Sequence, residues 1–450
     1  MPIPQLRLAM ALVIAVLLAG CSSSSDPADA DSLSTTSTIP SPATTASTTA
    51  SLETADTIDD SAARPSIELV TGLDASPAAD DWERPELGVT RPDPAYGTPV
   101  TRMTSADGTR FNRNTYSRRN PENADGTLFF SYHGDASYHV ARVADGTLVR
   151  ATDIHPDGEP QWHPTDPDRI RHVAGPNASV GRLQLFETSV ATGATQVIAD
   201  LTDRLRARFP DAAYMIDRAE GAPSADGMRW AWIVHDTDEN VVGLVHYDLA
   251  TDTILGTLDV ESPNDDRLDW VSASPSGGHV VAGWWSRTVA YDADLTNPRT
   301  IVAGGEHSDL MLGADGQDIY VWIDFVDSGW AIATDLDTLE QTRLFDLYDD
   351  ANTSIHFSGK AYDRPGWVVA STYSCKEDGS PWSCEKVFAV NVHTTEVVQL
   401  AHTYNCGADY WTETHAATNR DLTRVWFNSD GGSCGIDAEV YRLDVPPLSE

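Results

Sequence analysis

One short turn pattern recurs along this chain and limits what it can fold into: a polar or small pair, an acidic or small turn residue, then a run of β-formers. The copies are Asn123-Ala-Asp-Gly-Thr-Leu-Phe-Phe130, Pro164-Thr-Asp-Pro-Asp-Arg-Ile170, Ser224-Ala-Asp-Gly-Met-Arg-Trp230, Ser274-Pro-Ser-Gly-Gly-His-Val280, Gly313-Ala-Asp-Gly-Gln-Asp-Ile319, Tyr362-Asp-Arg-Pro-Gly-Trp367 and Asn419-Arg-Asp-Leu-Thr-Arg-Val425. Anchored on Asp125, Asp168, Asp226, Ser276, Asp315, Asp363 and Asp421, they are 43, 58, 50, 39, 48 and 58 residues apart. That is about the length of a four-stranded propeller blade. Strand runs of four to seven residues fill each unit, as in Trp230–Val234, Val242–Asp248 and Ile254–Leu258. The same order returns over Ile319–Phe325, Trp330–Asp335 and Thr342–Phe345, and over Trp367–Thr372, Lys386–Val392 and Val397–Leu400. β-Branched and aromatic enrichment broken by Asp, Gly, Pro and Thr reads as all-β, with a helical period only over Thr202–Phe209.

The last unit offers His415–Ala417, Val425–Ser429 and Glu439–Leu443, one strand short of a blade. Thr98-Pro-Val-Thr-Arg-Met-Thr104 has the pattern of an outer strand without a blade of its own. Pairing the two leaves no exposed edge, so the expected fold is an all-β, seven-bladed propeller closed by an N-terminal strand. Its expected limits are residues 95–448.

The turn patterns, with Glu159-Pro-Gln-Trp-His-Pro-Thr-Asp-Pro167, resemble the WD40-like repeats of TolB-type propellers, whose units often carry P-x-W-S-P-D-G. Glu413-Thr-His-Ala-Ala-Thr-Asn-Arg-Asp421 followed by Val425-Trp-Phe-Asn-Ser-Asp430 is similar to the histidine-bearing blades of oligogalacturonate lyases, which are also seven-bladed. That second resemblance implies a divalent metal held by histidines and a glutamine, with a base removing the C5 proton of a uronate. His307, His356 and His415 carry over by their place in the unit; no glutamine stands at the matching place.

The N-terminus reads as a processing signal. Arg7 precedes an apolar run from Leu8 to Leu18, too short to span a bilayer, and Leu18-Ala19-Gly20-Cys21 follows. These four residues resemble the bacterial lipobox, which implies cleavage of residues 1–20 and diacylation of Cys21 with palmitate-type chains. The expected product is a lipoprotein of the bacterial cell envelope, anchored in the membrane through Cys21 and facing outside the cytoplasm. Residues 21–94 are rich in Ser, Thr, Ala, Pro and Asp, and are expected to form a flexible tether. Removing Cys21 leaves Cys375, Cys384, Cys406 and Cys434, an even number for an oxidising compartment. The expected disulfides are Cys375 with Cys384 and Cys406 with Cys434; spacings of nine and twenty-eight residues lack a zinc knuckle. The net charge is −38, and losing Arg7 takes it to 29 − 68 = −39, which excludes nucleic acid as a partner.

In a propeller, the residues at the start of each innermost strand converge at one mouth of the central channel. Here these are Tyr116 and Arg118, Glu159, Glu220, Asp269 and Trp270, Glu306 and His307, His356, and Glu413 and His415. Histidine with carboxylate suits a divalent first-row metal, the one cofactor the pattern suggests. Three other strings fail on context. Gly431-Gly-Ser-Cys-Gly435 matches G-x-S-x-G but lies in a hairpin with no following helix. Ser224–Trp230 departs from the sialidase Asp-box, and Asp236–Asn240 has Val241 where a calcium loop needs Gly. Adjacent Trp284 and Trp285 should face opposite sides of a strand. Two roles stay open: a cell-surface binding or interaction module for protein or glycan, and a metal-dependent polysaccharide-active enzyme of oligogalacturonate-lyase type. Convergent histidines favour the second, scattered ones the first.

Replacing Cys21 by Ser should abolish lipidation and move the protein from the membrane to the soluble fraction. A variant that still partitions with detergent as a lipoprotein contradicts the lipobox reading.

Overall fold

The repeated turns are held by their own side chains. Asn123 Oδ1 accepts the amides of Thr127 and Leu128, both at 2.9 Å, and Asn419 Oδ1 accepts those of Thr423 and Arg424 at 3.0 Å. Ser224 and Ser274 hydroxyls do the same for Arg229 and His279 at 2.9 Å. Two residues on, Asp125 and Asp421 share the Thr127 and Thr423 amides at 3.2 and 3.1 Å, and Asp226 accepts the Met228 amide at 3.0 Å. Such local bonds favour a tight turn over continued strand. The next position has positive φ, 67° at Gly126 and 69° at Gly227, where glycine carries no Cβ penalty. In the last turn Leu422 takes that conformation at φ 55°, with its side chain buried in the core.

The computed structural model describes residues 67–73, 82–109, 111–179, 181–218, 220–304, 307–347, 354–373, 382–405, 412–434 and 437–449. Each turn connects the first and second strands of an antiparallel meander, in which sequence order is sheet order. Leu268–Ala273, His279–Trp284, Arg287–Asp292 and Arg299–Val302 form one such sheet. Separate four-stranded sheets lie within residues 161–200, 214–258 and 308–346. Ser354–Ser358, Trp367–Tyr373, Lys386–Asn391 and Val397–His402 form another, extended by Val70–Thr71. The remaining strands form a nine-stranded sheet. In it, a meander spanning residues 111–151 meets Ala417–Thr418, Arg424–Ser429 and Ala438–Asp444 through a short parallel pairing of Ala438 and Glu439 with Phe111 and Asn112. The one α-helix among the described residues is Thr202–Arg208, inside the segment with the helical period.

Core clusters run between successive meanders. One joins Val173, Leu185 and Ala199 to Met215, Trp232 and Val245; another joins Met311, Val321 and Phe345 to Ile355, Val368 and Phe388. Met103, Phe129 and Ala141 likewise pack with Trp426 and Val440, from opposite ends of the chain. A sheet covered on both faces needs apolar residues on both, which is why His279–Trp284, Asp318–Ile323 and Trp367–Tyr373 are buried at every position. Trp284 is 2% exposed and Trp285 45%, in line with their expected opposite faces.

The N-terminal strand is Pro99–Arg102, and it pairs antiparallel with the final strand, Val100 opposite Leu443 and Arg102 opposite Tyr441. The boundary expected at residue 95 needs correction. Val70–Thr71 pairs with Gln399 and Val398, Thr90–Pro92 pairs with Pro99–Thr101, and Trp82 stacks on Tyr404 at 4.2 Å. Leu69 and Trp82 pack against the last core cluster. Composition misled here, because a Ser/Thr/Pro-rich average hides isolated apolar residues that find a sheet edge. Cys384 and Cys434 each take part in a disulfide. Their expected partners Cys375 and Cys406, like Cys21, lie outside the described residues.

Glu122 fastens the two ends. It is 3% exposed and accepts Arg424 Nε and Nη2 at 2.7 Å each, Trp426 Nε1 at 2.6 Å and Asn419 Nδ2 at 3.2 Å. Glu122→Ala leaves buried donors without their acceptor and should cost about 3–5 kcal/mol in urea unfolding. A loss below about 1 kcal/mol would show that the carboxylate contributes little to holding the ends together.

Candidate metal centre

The first strands of three successive meanders bring three imidazoles together. His307 stands just ahead of Ser308–Leu312, His356 lies within Ser354–Ser358, and Glu413 and His415 precede Ala417–Thr418. The ring centres are 4.7 Å apart between His307 and His356, and 4.4 Å between His356 and His415. Glu413 Oε2 lies 3.2 Å from His415 Nε2 and 3.7 Å from His356 Nε2. Donor atoms from His356, Glu413 and His415 all fall within 4.8 Å of one another. Two ligands at roughly 2.0–2.2 Å from one ion, at angles of about 90–120°, stand about 3.0–3.6 Å apart. The Glu413–His415 spacing falls in that range and the Glu413–His356 spacing just beyond it, and the nitrogen and hard-oxygen character of the set suits a divalent ion.

The surroundings keep these rings dry. His356 and His415 are buried and His307 half-buried. Tyr373 stacks on His356 at 4.8 Å, and Tyr116 lies 4.9 Å from His415. Burial pushes His307 down to about 4 and holds His356 and His415 well below the usual imidazole value, with neighbouring rings and the Arg118 charge adding at His356 and Arg113 at His415. Neutral imidazole is the form that ligates a metal. His415 also has φ 41°, a conformation a non-glycine residue keeps only where its surroundings impose it.

A charged constellation from the other meanders accompanies the histidines. The Arg118 guanidinium donates to Ser308 Oγ at 3.1 Å, pairs with Glu220 Oε2 at 3.1 Å and lies 4.6 Å over the Trp270 ring. Burial raises the Glu220 carboxyl to about 7, Arg118 pulling down and Asp269 pushing up. Asp269 is itself raised by burial, against the pull of Arg218 and Arg118. Glu159, at φ 53°, accepts the Asp217 amide at 2.6 Å. Burial first and then the Asp217 charge push its carboxyl well up, while Arg119, 3.4 Å from Asp217, draws it back. The site thus holds carboxyls able to keep a proton near neutral pH beside fixed positive charge.

Of the residues expected at the channel mouth, His307, His356, Glu413, His415 and Tyr116 come together as one group. Arg118, Glu220, Asp269 and Trp270 form a second, and Glu159 a third with Arg119 and Asp217. Glu306 lies outside the described residues. Asp269, Trp270 and His356 sit within the first strands rather than ahead of them. Sequence reasoning passed over Asp217, Ser308 and Tyr373 as site residues. Asp217 follows the irregular strand Tyr214–Ile216, and Tyr373 ends a second strand, places that the unit pattern does not mark.

The Glu220 carboxyl has a folded value above its unfolded one, so its contribution to stability is full below about pH 4.3 and is lost as pH rises through about 7. Glu220→Gln should accordingly raise the melting temperature relative to the parent above pH 7, and the gain should vanish near pH 4. A constant difference across that range would contradict the raised value.

The sequence matches no protein-family model and no curated protein. Among solved structures, the chain is similar to an oligogalacturonate lyase in complex with manganese, with TM-score 0.55 and 16% identity over 80% of this chain and 96% of that one. It is also similar to an oligogalacturonate lyase from Vibrio parahaemolyticus, with TM-score 0.54 and 15% identity over the same shares. A TolB homologue from Agrobacterium tumefaciens aligns at TM-score 0.34 with 12% identity, over 51% of this chain and 80% of that one. At these identities the likeness to the lyases is one of fold, and the fold is a β-propeller.

Proposed function

We propose that the body is a seven-bladed propeller, carried at the cell envelope by a lipid on Cys21, and that it is a metal-dependent enzyme acting on saccharide. Lyase chemistry on a uronate is its most specific form. Support for seven blades comes from the core clusters: seven of them each span two neighbouring meanders, the last joining chain end to chain start. Between the binding role and the enzymatic one, a single observation favours the second: His356, His415 and Glu413 offer ligand atoms within 4.8 Å of one another, with His307 against them. The manganese named for the structurally similar lyase is consistent with that donor set.

A divalent ion in this place would supply positive charge to hold and polarise a sugar carboxylate. It also offsets the repulsion that an acidic protein exerts on an anionic substrate. His356, His415 and Glu413 would hold the ion, and Tyr116 and Tyr373 shield the imidazoles from water. Glu220 has the proton affinity for acid–base work near neutral pH, and Arg118 fixes its carboxylate in place.

Metal analysis after dialysis against manganese or zinc should find an equivalent bound by the parent and lost in His356→Ala, His415→Ala and Glu413→Ala. Oligogalacturonate and other uronate-bearing saccharides should then be tested with and without chelator, following the ultraviolet absorbance of a newly formed carbon–carbon double bond. Chelator-sensitive product formation supports the proposal. Metal bound without turnover of any saccharide returns the protein to the binding-module role, and no metal at this centre removes the enzyme reading.

A further inference from the structure

Outside the channel residues, the hairpin between Leu128–His133 and Ser137–Arg142 gathers two more imidazoles around a carboxylate. Its register sets Ser131 opposite His139 and His133 opposite Ser137. His133 and His139 are therefore diagonal neighbours on one face. Their ring centres are 4.4 Å apart and nearly parallel. Asp135, in the turn, places Oδ1 3.0 Å from His133 Nδ1 and Oδ2 3.8 Å from His139 Nε2. The three donor atoms lie within 4.8 Å of one another.

We propose that His133, Asp135 and His139 form a second divalent-metal site, distinct from the channel histidines and suited to an ion of the zinc class. Two imidazoles with one carboxylate are the ligands such ions select; the 3.0 Å between Asp135 and His133 matches two donors sharing one ion, and the 3.8 Å to His139 lies a few tenths of an ångström beyond it. His139 Nε2 is buried and has no hydrogen-bond partner among the described residues, an unmet cost that ligation removes. The imidazoles are 13% exposed and Asp135 53%, so an ion enters from solvent and water completes its shell. Small rotations of the two rings bring both nitrogens on to the ion, since the terminal ring torsion is soft.

Neighbouring groups already orient the ligands. Asp135 Oδ1 accepts Ser137 N at 3.1 Å and Ser137 Oγ at 2.6 Å, which leaves Oδ2 directed at His139. His133 Nδ1 accepts the Asp135 amide at 3.3 Å, a bond that an ion must displace, and Thr109 Oγ1, 3.4 Å from His133 Nε2, is placed to fix the ring when Nδ1 ligates.

Cobalt and zinc titrations of the full chain test the site, with cobalt absorption reporting imidazole in the inner shell. In a His356→Ala background, where the channel centre has lost an imidazole, one equivalent should remain. Adding His139→Ala or Asp135→Asn should weaken that equivalent by at least about tenfold, since loss of a supporting partner alone costs that much. Circular dichroism and melting temperature check that each variant folds, and His133→Asn replaces any that does not. Unchanged affinity and spectrum in these variants, or no bound ion in the His356→Ala background, would leave the two rings as hairpin packing and overturn the proposal.

Discussion

The structure depends on one seam, where residues from the start of the described chain are bonded to residues from its end. A backbone pairing of Val100–Arg102 with Tyr441–Leu443 supplies the sheet continuity. Two carboxylates buried behind it supply the specificity. Glu122 gathers Arg424, Trp426 and Asn419, and Glu439 takes Arg102 at 2.5 and 2.7 Å together with Arg84. Each carboxylate is nearly inaccessible, so its charge is tolerable only because several donors surround it. With the seam in place, segments hundreds of residues apart, such as Tyr116 and His415, meet at one site.

The candidate centre follows from that architecture through desolvation. A protein of net charge −38 would be expected to protonate an accessible imidazole readily. Burial reverses the tendency at His307, His356 and His415, and raises the carboxyls of Glu159, Glu220 and Asp269. Imidazoles are held neutral, and carboxyls hold a proton more readily than in water, a short distance from fixed guanidinium groups. Such a pattern is what burial plus selective pairing produces, and it is characteristic of sites that bind ions or move protons.

Much of the fold was legible in the sequence because the turn pattern has a local physical cause. Asn123, Ser224, Ser274 and Asn419 bond to amides four or five residues on, so the signal is written in adjacent residues. The convergence of His307, His356 and His415 was legible for a related reason, since unit position fixes which end of a strand a residue occupies. What escaped was set by partners distant in sequence. Asp217 enters the site through Glu159 and Arg119, neither of which marks it in the sequence. Val70–Thr71 joins the body by pairing with a strand more than three hundred residues later, a match that no local composition could reveal.

The early pairing has a mechanical consequence. A pull applied at the N-terminal side of the described residues meets first the short Val70–Thr71 ladder and then the Trp82 stack on Tyr404, before any load reaches Pro99–Arg102. These short contacts, with Arg84 bound to Glu439 and with Leu69 and Trp82 packed on the last core cluster, bear load ahead of the seam strand, which lies between Thr90–Pro92 on one side and Ala438–Asp444 on the other. The outer contacts act as a fuse that gives way and re-forms, so tension at the N-terminal end is dissipated before it can open the body.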